Sequence, residues 1–572
     1  MKKKKDSYPD LLEIEYRLAD LPSAQHRAGL VGLVLMAGWI KQEYVCRGIC
    51  DIEMTERGVM LYLDQLGLSE LFNGLYAASR EEQERLQPMR NQRSREIIPP
   101  LREEVREEVP EAEADPRQSA GRRTKIYVYE SIVPQGAFLA ELDPSGDEER
   151  GLWIRLWREV VWSILRSVPA TRKPYEARAN DERVTDYELV WNDLRRGWEH
   201  AVQLPGTYFL GAQSLTAEKL PFRDRARHQF LLNFWPLVAQ IYVPVVYDSA
   251  NNLNLRGFVI AIPDVTSVDH FCRFFSSMLL ARSTEPFRPR QFRPAGAIVD
   301  LVEEAGLDLL RRLREAAGRD QPPVAVEQIL DGVELFHLER EGNSVRQIHF
   351  SRLEPDEDLL DRYCWVRSTF LNPLLRRQQL VGLLTGRGGS AASVAGYEQL
   401  LARRPVSQTF MIGSFRRDVA AIFASNQAVR RAQVGEAGER VAGLVHHAVA
   451  SALRRELGES PPRQLVVRRA RSSFLAIRAR HGQDFIDYFL AWLGSPGPAE
   501  AGPEAEGPQA VGLAGGGPTA PVDPVQGEAP LQYENLEDLT RERPDQIRVL
   551  TLLALIALAA GSSSEERGTD VP

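Results

Sequence analysis

Cysteine is scarce in this sequence. The 572 residues hold four, Cys46, Cys50, Cys272 and Cys364, too few for a disulfide framework in so long a chain and suited to a reducing cytoplasm. Only Cys46 and Cys50 lie close together, and His446-His447 is the one close pair that could complete a zinc site with them. Long apolar runs are missing as well. The longest, Ala28 to Ile40 and Val549 to Ala560, cover thirteen and twelve residues, against roughly 20 for a bilayer span, so no membrane partner is expected. Met1-Lys2-Lys3-Lys4-Lys5 lacks the apolar core of a secretory signal directly behind it. Also absent are His-Glu-x-x-His, Gly-x-Ser-x-Gly, a phosphate-binding loop and a dinucleotide fingerprint. These absences favour a binding protein over an enzyme, with no catalytic residue, no metal and no cofactor expected.

A strong overall charge is lacking too, the formal net being −8, but that total conceals two opposed blocks. Arg403 to Arg480 carries fifteen arginines against five acids, whereas Ser495 to Pro572 carries thirteen acids against four arginines. A basic surface can therefore exist on a chain of ordinary isoelectric point. The basic block is studded with adjacent pairs: Arg403-Arg404, Arg416-Arg417, Arg430-Arg431, Arg454-Arg455 and Arg468-Arg469. Neighbours in sequence do not share a helical face, so each pair splays, one arginine reaching further outward. An excess of one sign repels itself unless something anionic lies alongside.

What is present reads as α+β. Leu12, Ile14, Tyr16 and Leu18 alternate with polar residues as a half-buried strand does. Asp20-Leu21-Pro22-Ser23 opens a helix through about Lys41, in which Gly29 and Gly32 allow another backbone close approach. Strands near Tyr44–Glu53 and Gly58–Leu63, a helix from Ser69 to about Leu86, and a strand from Lys125 to Val133 complete a ferredoxin-like β-α-β-β-α-β order. Residues 88–123 hold eight arginines and eight acids and read as a charged mobile insertion, with Leu101 to Val109 open to helix.

Trp153 and Trp157, four apart on a helix, point to the core. Arg172-Lys173 sits between Pro169 and Pro174 as a presented basic loop; either a hold on a nucleic-acid backbone or a simple surface turn fits it. Further on, Lys219, Arg223, Arg225 and Arg227 crowd a helix start with Pro221 in its first turn; either an exposed basic start on a core hairpin or a phosphate contact fits them. The hairpin itself is Gln240–Asp248 and Leu255–Ile262. Arg282, Arg288, Arg290 and Arg293 interleave with Phe287 and Phe292, a pattern suited to a phosphate track with stacking.

The domain reading is a mixed α/β body over 1–385, a basic helical bundle over 386–493 entered through Gly386-Arg387-Gly388-Gly389-Ser390, a linker over 494–530, and over 531–572 a last apolar helix returning to the bundle plus an acidic tail. The bundle helices are expected at Tyr397–Arg404, Phe415–Ser425, Gly438–Leu457 and Val466–Leu493.

Three blocks in order, Asp20-Leu21-Pro22-Ser23-Ala24-Gln25-His26-Arg27-Ala28-Gly29-Leu30, Gly151 through Pro174, and Leu210-Gly211-Ala212-Gln213 through Leu237, resemble the large subunit of type I CRISPR effector complexes (Cascade), of the Cas-eight family in its Myxan-subtype variant. The resemblance covers about Leu12 to Phe275 and becomes one of architecture past Gly386. It implies a non-catalytic, cytoplasmic subunit of antiviral defence at the 5′ end of the guide RNA. Such a subunit recognises the target-adjacent motif, stabilises the R-loop on target double-stranded DNA, assembles with Cascade backbone subunits and docks a helicase-nuclease. Met411 is a conceivable internal start for a separate bundle. No motif-reading residue transfers, so the nucleic-acid candidates rest on charge and loop context: Arg172, Lys173, Lys219 to Arg227, Arg282 to Arg293, and the arginine pairs. A stand-alone RNA-binding regulatory scaffold and a cryptic metal-dependent nuclease stay open as alternatives.

Overall fold

The structure is a computed structural model that describes residues 11–43, 48–55, 58–89, 96–107, 123–141, 151–203, 208–210, 223–247, 253–283, 289–290, 293–320, 322–342, 344–385, 394–403, 413–431, 437–458, 461–495 and 534–560. It forms two compact units, up to Leu360 and from Asp361. The first is mixed α/β and the second helical, as the composition of the two halves leads one to expect.

In the first unit, Leu11–Arg17 alternates buried and exposed residues and pairs antiparallel with Gly58–Asp64, which in turn pairs with Cys50–Thr55. Helix Ala24–Glu43 follows the first strand. Its glycines have a geometric reason: a Cβ on Gly29 would stand 2.3 Å from the Leu231 carbonyl oxygen, and one on Gly32 2.3 Å from that of Phe234. Any side chain there would drive two backbones apart. The helix packs on strand Phe258–Val265, every residue of which is buried.

That strand is central to a six-stranded sheet. Its order is Leu253–Leu255, Gln240–Tyr247, Phe258–Val265, Leu330–Glu341 and Ser344–Leu353, with Ile298–Val299 added parallel to Gln240–Tyr247. The β-branched hairpin expected from sequence is thus the core of the unit, Val259 pairing with Tyr242 and Ile260 with Ile241. Trp153 and Trp157 are buried in helix Leu152–Val160, the Trp157 indole donating to the Pro236 carbonyl at 2.8 Å.

Three expectations need correcting here. The helix drawn from Ser69 to Leu86 is Gln65–Leu75, after which Ala78–Arg85 is a strand. Arg102–Glu107, left open to helix, is also a strand. Both flank Arg123–Pro134 in a separate three-stranded antiparallel sheet, so the fourth strand of the supposed ferredoxin-like start leaves the first sheet with three strands only. The physical reason is cross-strand charge. Arg80 meets Glu130 at 2.5 Å, Arg102 meets Glu82 at 2.6 Å and Lys125 meets Glu103 at 2.6 Å. Arg and Glu along these strands support the sheet because opposite charges reach each other diagonally, or over the central strand as Arg102 and Glu82 do, although each exposed pair adds only a fraction of a kcal/mol.

The second unit is built around helix Pro544–Ala560, which is buried almost throughout from Ile547 onward and packs against Gly413–Arg431, Ala437–Leu457 and Arg463–Arg478. The apolar stretch is a bundle core rather than a surface. Its one charge inside that core, Arg548, is 3% exposed and paired with Glu398. The helix expected over Val466–Leu493 is two, Arg463–Arg478 and Gly482–Gly494, broken where Gly482 takes φ +53°. The glycine-rich joint 386–390 and most of the linker, 496–530, lie outside the described residues.

Candidate nucleic-acid interface

The sequence places cations in four groups, and the structure treats them differently. In the first unit, Arg172 ends a 3₁₀ turn, Pro169–Arg172, and Lys173 begins helix Lys173–Ala179. Arg172 donates from Nε to the Arg166 carbonyl at 2.8 Å and from Nη2 to the Trp162 carbonyl at 2.9 Å, and its guanidinium lies 4.6 Å from the Trp162 ring centre. Lys173 is exposed. The loop is rigid because backbone carbonyls and an aromatic face hold it.

At the second group, Lys219 and Pro221 lie outside the described residues, and helix Ala226–Leu231 starts later than expected, behind a short strand Arg223–Arg225. Arg223 is exposed with no partner among the described residues. Arg225 and Arg227 flank the Trp198 ring at 5.5 and 5.4 Å, and Arg225 also meets Glu199 at 3.2 Å. Behind them lies a cluster that sequence reading did not foresee. Asp224 accepts from His26 Nε2 at 2.9 Å and from His228 Nδ1 at 3.3 Å. Burial pushes the Asp224 carboxyl upward, but the two imidazoles and the Arg225 amide outweigh it and hold it well below the usual carboxylate range. Burial lowers the His26 pKa against the opposing pull of Asp224. A neutral His26 fits: Nε2–H donates to Asp224 and Nδ1 accepts from the Ser23 hydroxyl at 2.8 Å.

The neighbouring residues of the same block are tied equally firmly. Gln25 donates to the Leu210 carbonyl and accepts from the Leu210 amide, both at 2.9 Å, and Arg27 pairs with fully buried Asp264, which also binds Arg352 at 2.6 Å. Asp20–Leu30 and the chain around Leu210 and Asp224, distant in sequence, are thereby one structural knot. No short motif marks it, since its partners are 185 and 198 residues apart.

In the third group, Arg282 lies 4.0 Å from the Trp153 ring centre and hydrogen-bonds Gln240, while Arg293 meets Glu159 at 3.4 Å and lies 5.3 Å from the Phe258 ring centre. Arg288 and both phenylalanines of the loop, Phe287 and Phe292, are outside the described residues; Arg290 is described in its backbone only, within a two-residue strand.

The fourth group is the bundle. Arg404 is outside the described residues, and the side chains of Arg403, Arg430 and Arg431 are not described. In the three remaining pairs one arginine is engaged within the bundle. Arg416 donates to the Ala559 carbonyl at 3.2 Å, capping the end of the central helix. Arg455 donates to the Leu493 carbonyl, and Arg469 binds both oxygens of Glu456 at 2.5 and 2.7 Å, which lowers the Glu456 pKa. Of their mates, Arg417 pairs with Asp418 at 3.0 Å while half exposed, whereas Arg454 and Arg468 are exposed and unpartnered among the described residues.

Arg471, which belongs to no pair, stands three residues beyond Arg468 on the same helical face and is likewise exposed without a described partner. Arg463, Gln464, Val467, Arg468 and Arg471 line a groove of about 340 Å³. Helical spacing rather than adjacency was the signal for Arg471. Among the described residues no group of His, Cys, Asp and Glu could hold a metal ion, and no helix is long and apolar enough to cross a membrane.

Residues 49–322 match the family model of the type I-B CRISPR Cas8b N-terminal domain, and residues 330–460 match that of the type I-B CRISPR Cas8b C-terminal domain. The second match begins inside the first compact unit and stops just before helix Arg463–Arg478. No curated protein matches the chain.

Proposed function

Because the chain belongs to the Cas8b family of type I-B CRISPR large subunits, we propose that it works without chemistry of its own inside a Cascade surveillance complex in the cytoplasm. There it holds the 5′ region of the guide RNA and target double-stranded DNA, reads the target-adjacent motif, steadies the R-loop and offers a docking surface to a helicase-nuclease. Base pairing with the guide would carry sequence recognition, leaving this chain to supply backbone contacts and the short motif. The Myxan-subtype relationship belongs to the same proposal.

One observation carries the nucleic-acid part: the exposed arginine face of helix Arg463–Arg478, with Arg454 at the end of helix Ala437–Leu457. Arginines that serve the fold are paired with acids, carbonyls or rings; Arg454, Arg468 and Arg471 have no such partner among the described residues. Unpaired guanidinium groups lining a groove suit phosphate oxygens, which they meet as paired donors. Co-expression of the tagged chain with Cascade backbone subunits and a guide RNA tests the assembly. A stoichiometric particle retaining guide-length RNA is expected. Elution of the chain alone and free of RNA, while the backbone assembles without it, would contradict the proposal.

A further inference from the structure

The groove on helix Arg463–Arg478 runs along one exposed helical face, and no acid is among the described residues that line it. Glu456, which reaches this helix, is already held by Arg469 at 2.7 Å and by the Trp492 indole at 2.9 Å. Arg468 and Arg471, three residues apart, therefore repel each other with no counter-charge among the described residues.

The end of the central helix lies at this groove. Arg463, which lines it, donates from Nη2 to the Ala560 carbonyl at 3.1 Å, and Arg416 holds the preceding carbonyl, that of Ala559, at 3.2 Å. Ala560 is the last described residue, so Gly561 to Pro572 departs from beside a groove-lining arginine. That tail carries Glu565, Glu566 and Asp570 against one cation, Arg567. From Arg463, Arg468 and Arg471 stand about 8 and 12 Å along the helix axis at 1.5 Å per residue. Glu565 and Glu566 come five and six residues after Ala560, a span of up to about 17 and 20 Å for extended chain. Both arginines are within reach of both acids.

We propose that Glu565 and Glu566 dock on Arg468 and Arg471 when no nucleic acid is bound, which makes the tail an internal competitor of phosphate for the groove. The inference rests on the reading of this groove as a phosphate site and adds its regulation. A carboxylate meets a guanidinium through the same paired N–H donors as a phosphate does. A tethered segment acts at an effective concentration of about millimolar order, whereas each exposed ion pair is worth a factor of about five at most. The contact is thus strong enough to shed weakly held polyanions, and it yields to a nucleic-acid backbone that meets several cations at once.

Two independent measurements on the full chain test it. The first needs no nucleic acid. Carbodiimide joins an amine to a carboxylate only where the two touch. In the Arg468→Lys and Arg471→Lys variants, peptide mass spectrometry is expected to find the substituted position coupled to Glu565 or Glu566. Arg541→Lys against Glu537, a pair at 2.6 Å in the parent, is the positive control. The second measurement compares the parent with a Glu565→Gln, Glu566→Gln double variant in binding to single-stranded RNA and to duplex DNA. Neutralising the tail is expected to raise affinity about threefold to tenfold at low salt, the two salt lines converging as screening removes the contact. The gain should disappear in a background of Arg468→Gln and Arg471→Gln.

Coupling in the control without coupling to either tail glutamate would overturn the inference, as would coupling to Glu500, Glu504 or Glu506 of the linker instead. So would an unchanged affinity in the double variant, or a gain that persists without Arg468 and Arg471, the sign of general repulsion rather than of an occupied groove. A parent chain that binds neither probe would sink the phosphate reading, and with it the competition, while coupling would still establish the tail contact.

Discussion

In the first unit Arg282 lies on Trp153, Arg293 on Phe258, Arg225 and Arg227 around Trp198, and Arg27 and Arg352 on the buried carboxylate of Asp264. In the second unit Arg416, Arg455 and Arg469 are engaged in the same structural manner, but Arg454, Arg468 and Arg471 are not. The same side chain therefore does two jobs. Where a ring, an acid or an open carbonyl is within reach, an arginine is part of the packing; where none is among the described residues, as at Arg454, Arg468 and Arg471, it stays available to a partner. Density of arginine in the sequence does not separate the two cases, and the company it keeps does.

Perturbing the two sets should separate them experimentally, and the largest effect belongs to the first unit. Asp264→Ala would leave Arg27 and Arg352 facing a buried site without their shared acceptor, and is expected to destabilise that unit by about 3 kcal/mol, read by urea unfolding. Arg282→Ala removes the Trp153 face contact, with an expected loss of about 1–2 kcal/mol. Its salt dependence of nucleic-acid binding should match the parent; a shallower slope would move Arg282 into the contacting set and break the comparison.

Arg469→Ala, in the bundle, gives up a bidentate pair with Glu456 that is partly open to solvent, so about 1 kcal/mol or less is expected, again without a change of slope. The smallest effect is on pH dependence. The His26 pKa is lowered in the folded state, so the unfolded chain binds the extra proton first, and stability should fall as pH drops below about 6.5. The depressed Asp224 carboxyl acts in the same direction at lower pH. His26→Gln should flatten the upper part of that decline in thermal unfolding followed from neutral to mildly acid pH.

Much of the fold was legible where the pattern had a single reading. The β-branched hairpin, the alternation of Leu12, Ile14 and Tyr16, and Trp153 with Trp157 on one face all read as core and are core. Gly29 and Gly32 read as a close approach, and the carbonyls of Leu231 and Phe234 are what approaches. The charged sheet was missed because Glu-Glu-Gln-Glu-Arg has high helix propensity, and the charges that meet this segment in the sheet, Glu130 on the facing strand and Arg102 on the strand beyond it, are distant in sequence.

At the site, splaying of the arginine pairs followed from helical geometry, whereas the Asp224 cluster depends on residues that only folding brings together. Arg471 is legible from its spacing, three residues beyond Arg468 on one helical face, rather than from adjacency.

The central claim is that the bundle leaves specific arginines for phosphate. The most direct measurement is the salt dependence of nucleic-acid affinity for the full chain carrying Arg454→Gln, Arg468→Gln and Arg471→Gln together, beside the parent. The account predicts a slope shallower by about 2 to 3, weaker binding across all sequences, and an unfolding temperature close to that of the parent. An unchanged slope with binding intact would contradict it.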